Sequence, residues 1–572
     1  MRRAAVLPIV AALACAVWTI VAGKDLNWDL LNYHYYAPYQ LLGARFAQDF
    51  FAASAQSYLN PFGYLPFYLM VSWGWHSVLV SVLLAAAHGC ALVLLYALAW
   101  RLFAPRAVMA AIAAALGAAT AVFWATVGTS FLDPLLVVPM LGGLLLLIEG
   151  RAFGAAGFLF GAAAALKYSN AIYAVAALPL AFGGGRRAVA AYVAGGVAGV
   201  TLLAGPWLAL MWHEFGHPFY PGLTAAGGRF VPHDLLSALL LPLRMAVLDR
   251  SLYAEIFAPD LRFAALGALA LALPFRRPTL QAGDRRLFAF FALAYALWVL
   301  TSANSRYGLL LLLLAGVCIA RLADLLVPAR AARIALALLL VVQLILMGVA
   351  APARWFIAEP WSKSWFPYRA AERAPGLYLT IETQPMAVVA PFLDARSAFV
   401  NLRGQRTLSA DEPRLVALLK RYEGNVRALG RSIEPAAYDR HFARIGYRLD
   451  PGDCFDIEWR RDDADALSRA ANWLSGAPPS GEPLALRSCV LRPAPPDPAR
   501  EAREREATAL FERVEKNCPQ YFRGQSAVTE PFGASGWARH YVDLDARLEA
   551  FGERVLLNRY RAGEIVDLAH CR

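Results

Sequence analysis

Apolar runs recur through the first 350 residues and limit what this chain can fold into more than any other feature. Crossing ~30 Å of hydrocarbon takes about 20 helical residues. Eleven runs reach that length, or approach it closely enough to span with shielding from neighbours: 4–23, 77–100, 107–127, 134–149, 153–166, 171–184, 188–212, 261–275, 287–302, 307–323 and 334–350. The expected fold class is a polytopic α-helical membrane protein. Of the 572 residues 59% are hydrophobic and 17% charged, against about 45–50% and about 25% in soluble domains. That balance excludes a cytosolic enzyme, a disordered chain and a fibrous repeat.

Charge divides the chain in two. Residues 1–350 hold 12 acidic and 22 basic residues, and residues 351–572 hold 30 and 32. We expect a membrane domain over 1–350 and an extracytoplasmic α+β domain over 351–572. The arginines of the first part stand singly or in pairs between apolar runs, which orients spans and gives no nucleic-acid surface. With the N-terminus in the cytoplasm, as Arg2 and Arg3 suggest, the inner loops carry 14 basic residues against three acidic ones. The outer loops carry eight and nine. Eleven crossings then place the C-terminal domain in the periplasm of a bacterial inner-membrane protein. The start also reads as a signal peptide; an uncleaved first span is preferred.

Cys454, Cys489, Cys518 and Cys571 lie in the outer half, where oxidising conditions permit two disulfides. Three connectivities are open, and sequence order favours Cys454–Cys489 and Cys518–Cys571. Within 351–572, LYLTIETQPMAVVAPFL alternates like strands, while DEPRLVALLKRYEGNVRALG and DPAREAREREATALFERVEKN have the period of amphipathic helices.

Charge beside a bilayer is costly and tends to be functional, so the outer loops hold the candidate site. The first, residues 24–69, has Asp25 and Asp29 four apart, a spacing that puts both on one helical face. Beyond them come His34 and the ring cluster Tyr33, Tyr35, Tyr36 and Tyr39, which suit headgroups and sugar faces alike. Asp133 opens the fourth span, either as a helix cap or as a working carboxylate. Lys167 is one of two lysines in residues 1–350. It either snorkels or holds a phosphate. Arg306 opens the tenth span as an interfacial anchor or as a bidentate phosphate ligand. The long loop 213–260 contains His213, Glu214, His217, His233 and Asp234. HEFGH matches the letters of a zinc-protease helix, but Gly216 and Pro218 break it. No metal centre is assigned.

The order of these segments resembles a family. WDLLNYHYYAPYQLL after the first span, SFLDPLL after the third, ALKYSNAIY between the fifth and sixth, EFGHPFYP after the seventh and SRYGLLLLL at the tenth are similar to the GT-C superfamily of integral-membrane glycosyltransferases. The likeness is to its protein O-mannosyltransferase and lipid A aminoarabinose transferase branch, over about residues 1–350. The resemblance implies a polyprenyl-phosphate-linked sugar donor and inverting transfer of a hexosyl or pentosyl group to a hydroxyl on a glycan, lipid or protein. It implies Asp29 as base, with Asp25 second; Asp133 orienting the acceptor or a metal; and Lys167 and Arg306 on the lipid phosphate. His34, Tyr33 and His217 complete the substrate contacts. No cofactor is certain, and relatives differ in their need for a divalent cation. The first loop lacks an adjacent Asp-Glu pair, which leaves the acceptor class open. A flippase for a lipid-linked sugar and a non-enzymatic envelope assembly protein are the rival functions.

Overall fold

A computed structural model describes residues 2–222, 231–232, 234–247, 256–350, 353–370, 373–382, 386–404, 408–479, 484–495, 497–522, 527–533, 535–541, 546–559 and 564–572. The N-terminal half is helical. α1 (Arg2–Ala22) ends at Gly23, whose φ of +83° turns the chain into a two-residue strand, β1 (Lys24–Asp25). The following loop holds two short helices, α2 (Tyr36–Leu42) and α3 (Leu65–Ser72). Then come α4 (Ser77–Phe103), α5 (Ala107–Ala118), α6 (Ala121–Thr126), α7 (Leu132–Glu149), α8 (Phe153–Leu166), α9 (Ala171–Ala177), α10 (Gly185–Leu203) and α11 (Gly205–Phe215). After α12 (Leu235–Arg244) the bundle closes with α13 (Leu261–Arg276), α14 (Ala282–Thr301), α15 (Leu309–Leu326) and α16 (Ala329–Ala350).

Among the described residues, four helices are long and apolar enough to cross a membrane alone: α4, α7, α15 and α16. A fifth crossing is available if Tyr168–Leu203 and α11, bent by 51°, act together. The eleven expected runs are helical in place, but most are shorter than a full crossing. The expected span 107–127 is broken into α5 and α6. Buried Arg262 explains the break: its Nη1 takes the carbonyls of Leu116 at 2.5 Å and Gly117 at 3.1 Å, while Asp260 neutralises it. These carbonyls have a partner where the helix stops.

Glycine lets the bundle close tightly around the elements that carry the candidate site. A Cβ at Gly157 of α8 would lie 1.9 Å from the Tyr192 carbonyl of α10, and one at Gly316 of α15 would lie 2.0 Å from the Gly117 amide of α5. Such small-residue seams are the usual route to helix association in lipid.

The C-terminal half has two sheets rather than one α+β unit. β2 (Ala358–Glu359) pairs antiparallel with β1, tying residue 24 to residue 359. A six-stranded mixed sheet follows from β3 (Tyr368–Ala370), β4 (Leu377–Thr380), β5 (Ala398–Asn401), β6 (Val426–Gly430), β7 (Tyr447–Trp459) and β8 (Leu486–Pro493), in the order β3-β7-β8-β6-β4-β5. Helices α17 (Pro413–Arg421) and α18 (Pro435–Phe442) pack on it, and α19 (Ala466–Ser475) connects β7 to β8. The antiparallel meander β9 (Glu530–Phe532), β10 (Gly536–Tyr541), β11 (Ala546–Phe551), β12 (Arg554–Arg559) and β13 (Glu564–Asp567) packs with α20 (Pro498–Asn517) around its own core. Disulfides join Cys454 to Cys489 across β7 and β8, and Cys518 to Cys571 across the second lobe.

Two sequence readings change here. Among the described residues of LYLTIETQPMAVVAPFL, Leu377–Thr380 is the strand, and Ala387–Phe392 is a largely buried helical turn. The last five residues of DEPRLVALLKRYEGNVRALG are β6, because they complete a sheet buried on both sides. The first loop packs into this sheet: Phe50 bridges Val400, and the buried Asp49 carboxylate accepts from the Phe399 amide at 2.9 Å and from Arg45 at 2.7 Å.

Candidate active site

The first loop places its acid by a local device. The Asn27 side chain accepts from the Leu30 amide at 2.7 Å and starts a helical turn, which widens into a five-residue π-turn over Leu30–His34. Wide turns bring residues four and five apart onto one side. Asp29, Tyr33 and His34 therefore face the bundle together, all buried.

Three other elements meet them. Asp133 sits in the first turn of α7 and Lys167 immediately after α8, and Lys167 Nζ donates to Asp133 Oδ1 at 2.5 Å. Arg306 lies in the turn between α14 and α15. It donates to Asp29 at 2.9 Å and stands 3.9 Å from Asp133. The turn is held from both sides, since Trp298 donates its indole N–H to the Asn304 carbonyl at 2.8 Å and Tyr173 donates to the Tyr307 carbonyl at 2.5 Å. Four charges from distant stretches thus form one chain: Asp29, Arg306, Asp133, Lys167.

Aromatic rings enclose it. The Arg306 guanidinium lies 4.5 Å from the Phe131 ring centre and 4.7 Å from that of Trp355, and Lys167 lies 4.6 Å from that of Tyr307. Such faces attract cations, more strongly where water is excluded. His34 stacks on Tyr64 at 4.2 Å, and its Nδ1 lies 2.8 Å from the Ser130 hydroxyl. Burial, then the nearby Arg306 and Lys167, push the His34 imidazole well below its ordinary value, so it is neutral at pH 7. Burial also draws the Lys167 ammonium down, and Asp133 works against that.

Asp25 departs from expectation. It does not share a helical face with Asp29, because the strand pairing with β2 fixes it in extended backbone. Its carboxylate accepts from Asn27 at 2.5 Å, and Asn27 is 3.3 Å from Ser130, so Asp25 reaches the site through the Asn27–Ser130–His34 side. Burial raises its pKa to about 6, against the pull of Arg354. Asp133 is no helix cap, since its side chain turns to Lys167. Lys167 does not snorkel. His217 stands apart on the surface, where its Nδ1 accepts from the Phe219 amide at 3.1 Å. No hydrogen bond or ion pair among the described residues joins it to the four charges. His213 and Glu214 end α11, Gly216 turns the chain left-handed before His217, and His233 lies outside the described residues.

Two participants were not expected. Trp355 closes over Arg306. Arg354, buried beside it, donates to the carbonyls of Gly23, Thr19 and Val127 at 2.8–3.0 Å and clasps the end of α1 to the α6–α7 link. The ARWF stretch just after the last span was the only signal.

The carboxylates do not fit a divalent cation. Arg306 stands between Asp29 and Asp133, and Lys167 holds the far side of Asp133, so a dication would meet two fixed positive charges. Elsewhere among the described residues, one grouping of possible ligands comes within reach of a single ion: Cys518, His570 and Cys571. Its two sulfurs are bonded to each other.

No protein-family model matches the sequence, and no curated protein matches it. Among solved structures, the chain is similar to ArnT from Cupriavidus metallidurans, determined bound to undecaprenyl phosphate. The identity is 15% and the TM-score 0.38, over 58% of this chain and 63% of that one. The match thus spans under two thirds of the ArnT chain.

Proposed function

We propose that this chain is a membrane glycosyltransferase, which moves a sugar from a polyprenyl-phosphate donor to an acceptor hydroxyl on a glycan, lipid or protein at the outer face of the bacterial inner membrane. One observation carries the reading: two carboxylates and two cations, drawn from four separate elements, alternate at ion-pair distances of 2.5, 3.9 and 2.9 Å at one end of the helix bundle.

The chemistry follows from what a phosphate does there. Arg306 and Lys167 are the natural partners of a phosphate, one as a planar fork and one as a point charge. As the donor phosphate takes Arg306, the ion pair to Asp29 opens. Asp29 then accepts the proton of the acceptor hydroxyl. The acceptor oxygen attacks the anomeric carbon from the face opposite the phosphate, and the carbon–oxygen bond to phosphate breaks. The electron pair leaves on the phosphate oxygen, where Arg306 and Lys167 stabilise it. A single displacement inverts the anomeric centre. Neutral His34 and the rings of Tyr33 and Tyr64 offer the sugar an aromatic wall.

The flippase reading is less well supported. A transporter places charge near the bilayer midplane, whereas the charged residues of helices α1 to α16 lie within two turns of helix ends. The test is transfer from a synthetic undecaprenyl-phosphate sugar by purified protein. We expect Asp29→Asn to lose about 10²–10⁴-fold in rate with the donor still bound. Full activity in that variant removes Asp29 as the base and the proposed mechanism with it.

A further inference from the structure

Helix α19 has its faces reversed. Its polar side points into the protein. Asp465 caps the first turn, accepting from the Ser468 amide at 2.9 Å, and His76 Nε2 lies 3.1 Å from Asp465 and 3.3 Å from the Ser468 hydroxyl. One turn on, Asn472 accepts from the Trp361 amide at 2.5 Å and donates to the Trp361 carbonyl at 2.9 Å. The opposite side presents Leu467, 46% exposed, Trp473, 84% exposed, and Leu474, 51% exposed, with Ala470 between them and exposed Arg469 at the edge. A helix on a water-facing domain has the reverse arrangement.

Its position accounts for the reversal. His76 caps α4, a helix long enough to cross a membrane, and the Trp361 indole donates to the Ile20 carbonyl in the last turn of α1 at 3.0 Å. α19 therefore packs against α1 and α4 at the same end as the charge cluster. The exposed side chains of those helices at that end are apolar: Val17 and Val21, Leu79 and Leu83. Trp73, 66% exposed, and Trp75 lie in the link that leads into His76. Exposed tryptophans gathered at one level mark the headgroup region of a bilayer.

We propose that α19 is an interfacial anchor: it lies flat on the bilayer, with Leu467, Trp473 and Leu474 in the acyl boundary, and fixes the height of the six-stranded lobe over the charge cluster. The occupant of this face is the lipid surface. The proposal does not depend on the reaction assigned to the site.

The test uses the full chain carrying Cys90→Ala, since Cys90 is the exposed free thiol. A nitroxide is attached at Trp473→Cys, at Leu467→Cys, or at Arg513→Cys on the exposed side of α20 as a water-facing reference. All three positions are exposed, so the labels leave the core intact. In phosphatidylethanolamine–phosphatidylglycerol vesicles we expect the ratio of collisions with oxygen to collisions with a water-soluble nickel chelate to be several-fold higher at 473 and 467 than at 513. Equal ratios at all three positions overturn the proposal. Exclusion of nickel that grows with the protein-to-lipid ratio assigns the face to a second copy of the chain and also overturns it.

Discussion

Arg306 donates to the Asp29 carboxylate at 2.9 Å, across 277 positions of sequence. The pair is buried, and the rings of Phe131 and Trp355, in contact with each other, lie side by side against the guanidinium, so it is held by geometry as well as by charge.

Lysine cannot replace that guanidinium. Arg306→Lys keeps the charge but loses the planar fork and the broad contact with the Phe131 and Trp355 rings. We expect transfer to fall about 10–100-fold, with a raised KM for the polyprenyl-phosphate donor, the size of one or two charged hydrogen bonds. Steady-state kinetics over a donor series checks this.

The Lys167–Asp133 pair should behave asymmetrically. Removing Lys167 leaves the buried Asp133 carboxylate with Arg306 at 3.9 Å as its counter-charge, at a cost of up to about 3 kcal/mol, while removing both partners relieves it. Thermal unfolding in detergent should therefore show Lys167→Met well below the parent and the Lys167→Met/Asp133→Leu double variant part of the way back. A double variant as unstable as the sum of the singles refutes the coupling.

Lys24 should give stability a pH slope. The residue is fully buried, donates to the Ser362 hydroxyl at 2.7 Å, and burial lowers its pKa from 10.5 to about 7. Between those values the unfolded chain binds the proton that the folded chain has released. Stability from this group therefore rises with pH through the window, by about 1.4 kcal/mol per unit. We expect denaturation midpoints measured from pH 7 to pH 9 to lose that rise in Lys24→Met.

Arg354 is expected to matter for stability more than for chemistry. Arg354→Met leaves several buried carbonyls without their donor, a loss of about 3 kcal/mol or more. Arg354→Lys should recover only part of it, read as melting temperature beside transfer rate.

The helical half and its four charges were legible because charge is scarce in an apolar chain. Asp29, Asp133, Lys167 and Arg306 stand out where few residues are ionisable and solvation forbids casual placement. The Asp25–Asp29 spacing misled, because period four implies a shared face only on a helix, and the strand pairing at residue 358 is invisible from residue 25. Trp355 and Arg354 escaped notice because they follow the last apolar run and look like linker. The two-lobed C-terminal half was read as one unit because short strands far apart in sequence carry no local sign of which sheet they join.

The clasp of Arg354 on Gly23, with β2 laid along β1, has a temporal meaning. Every charge of the cluster is synthesised before residue 354, yet the tryptophan roof and the guanidinium that locks the end of α1 come afterwards. During biosynthesis the four charges therefore stay uncovered on that side until residues 354–359 follow the last helix, and the cluster is completed only as β2 pairs with β1.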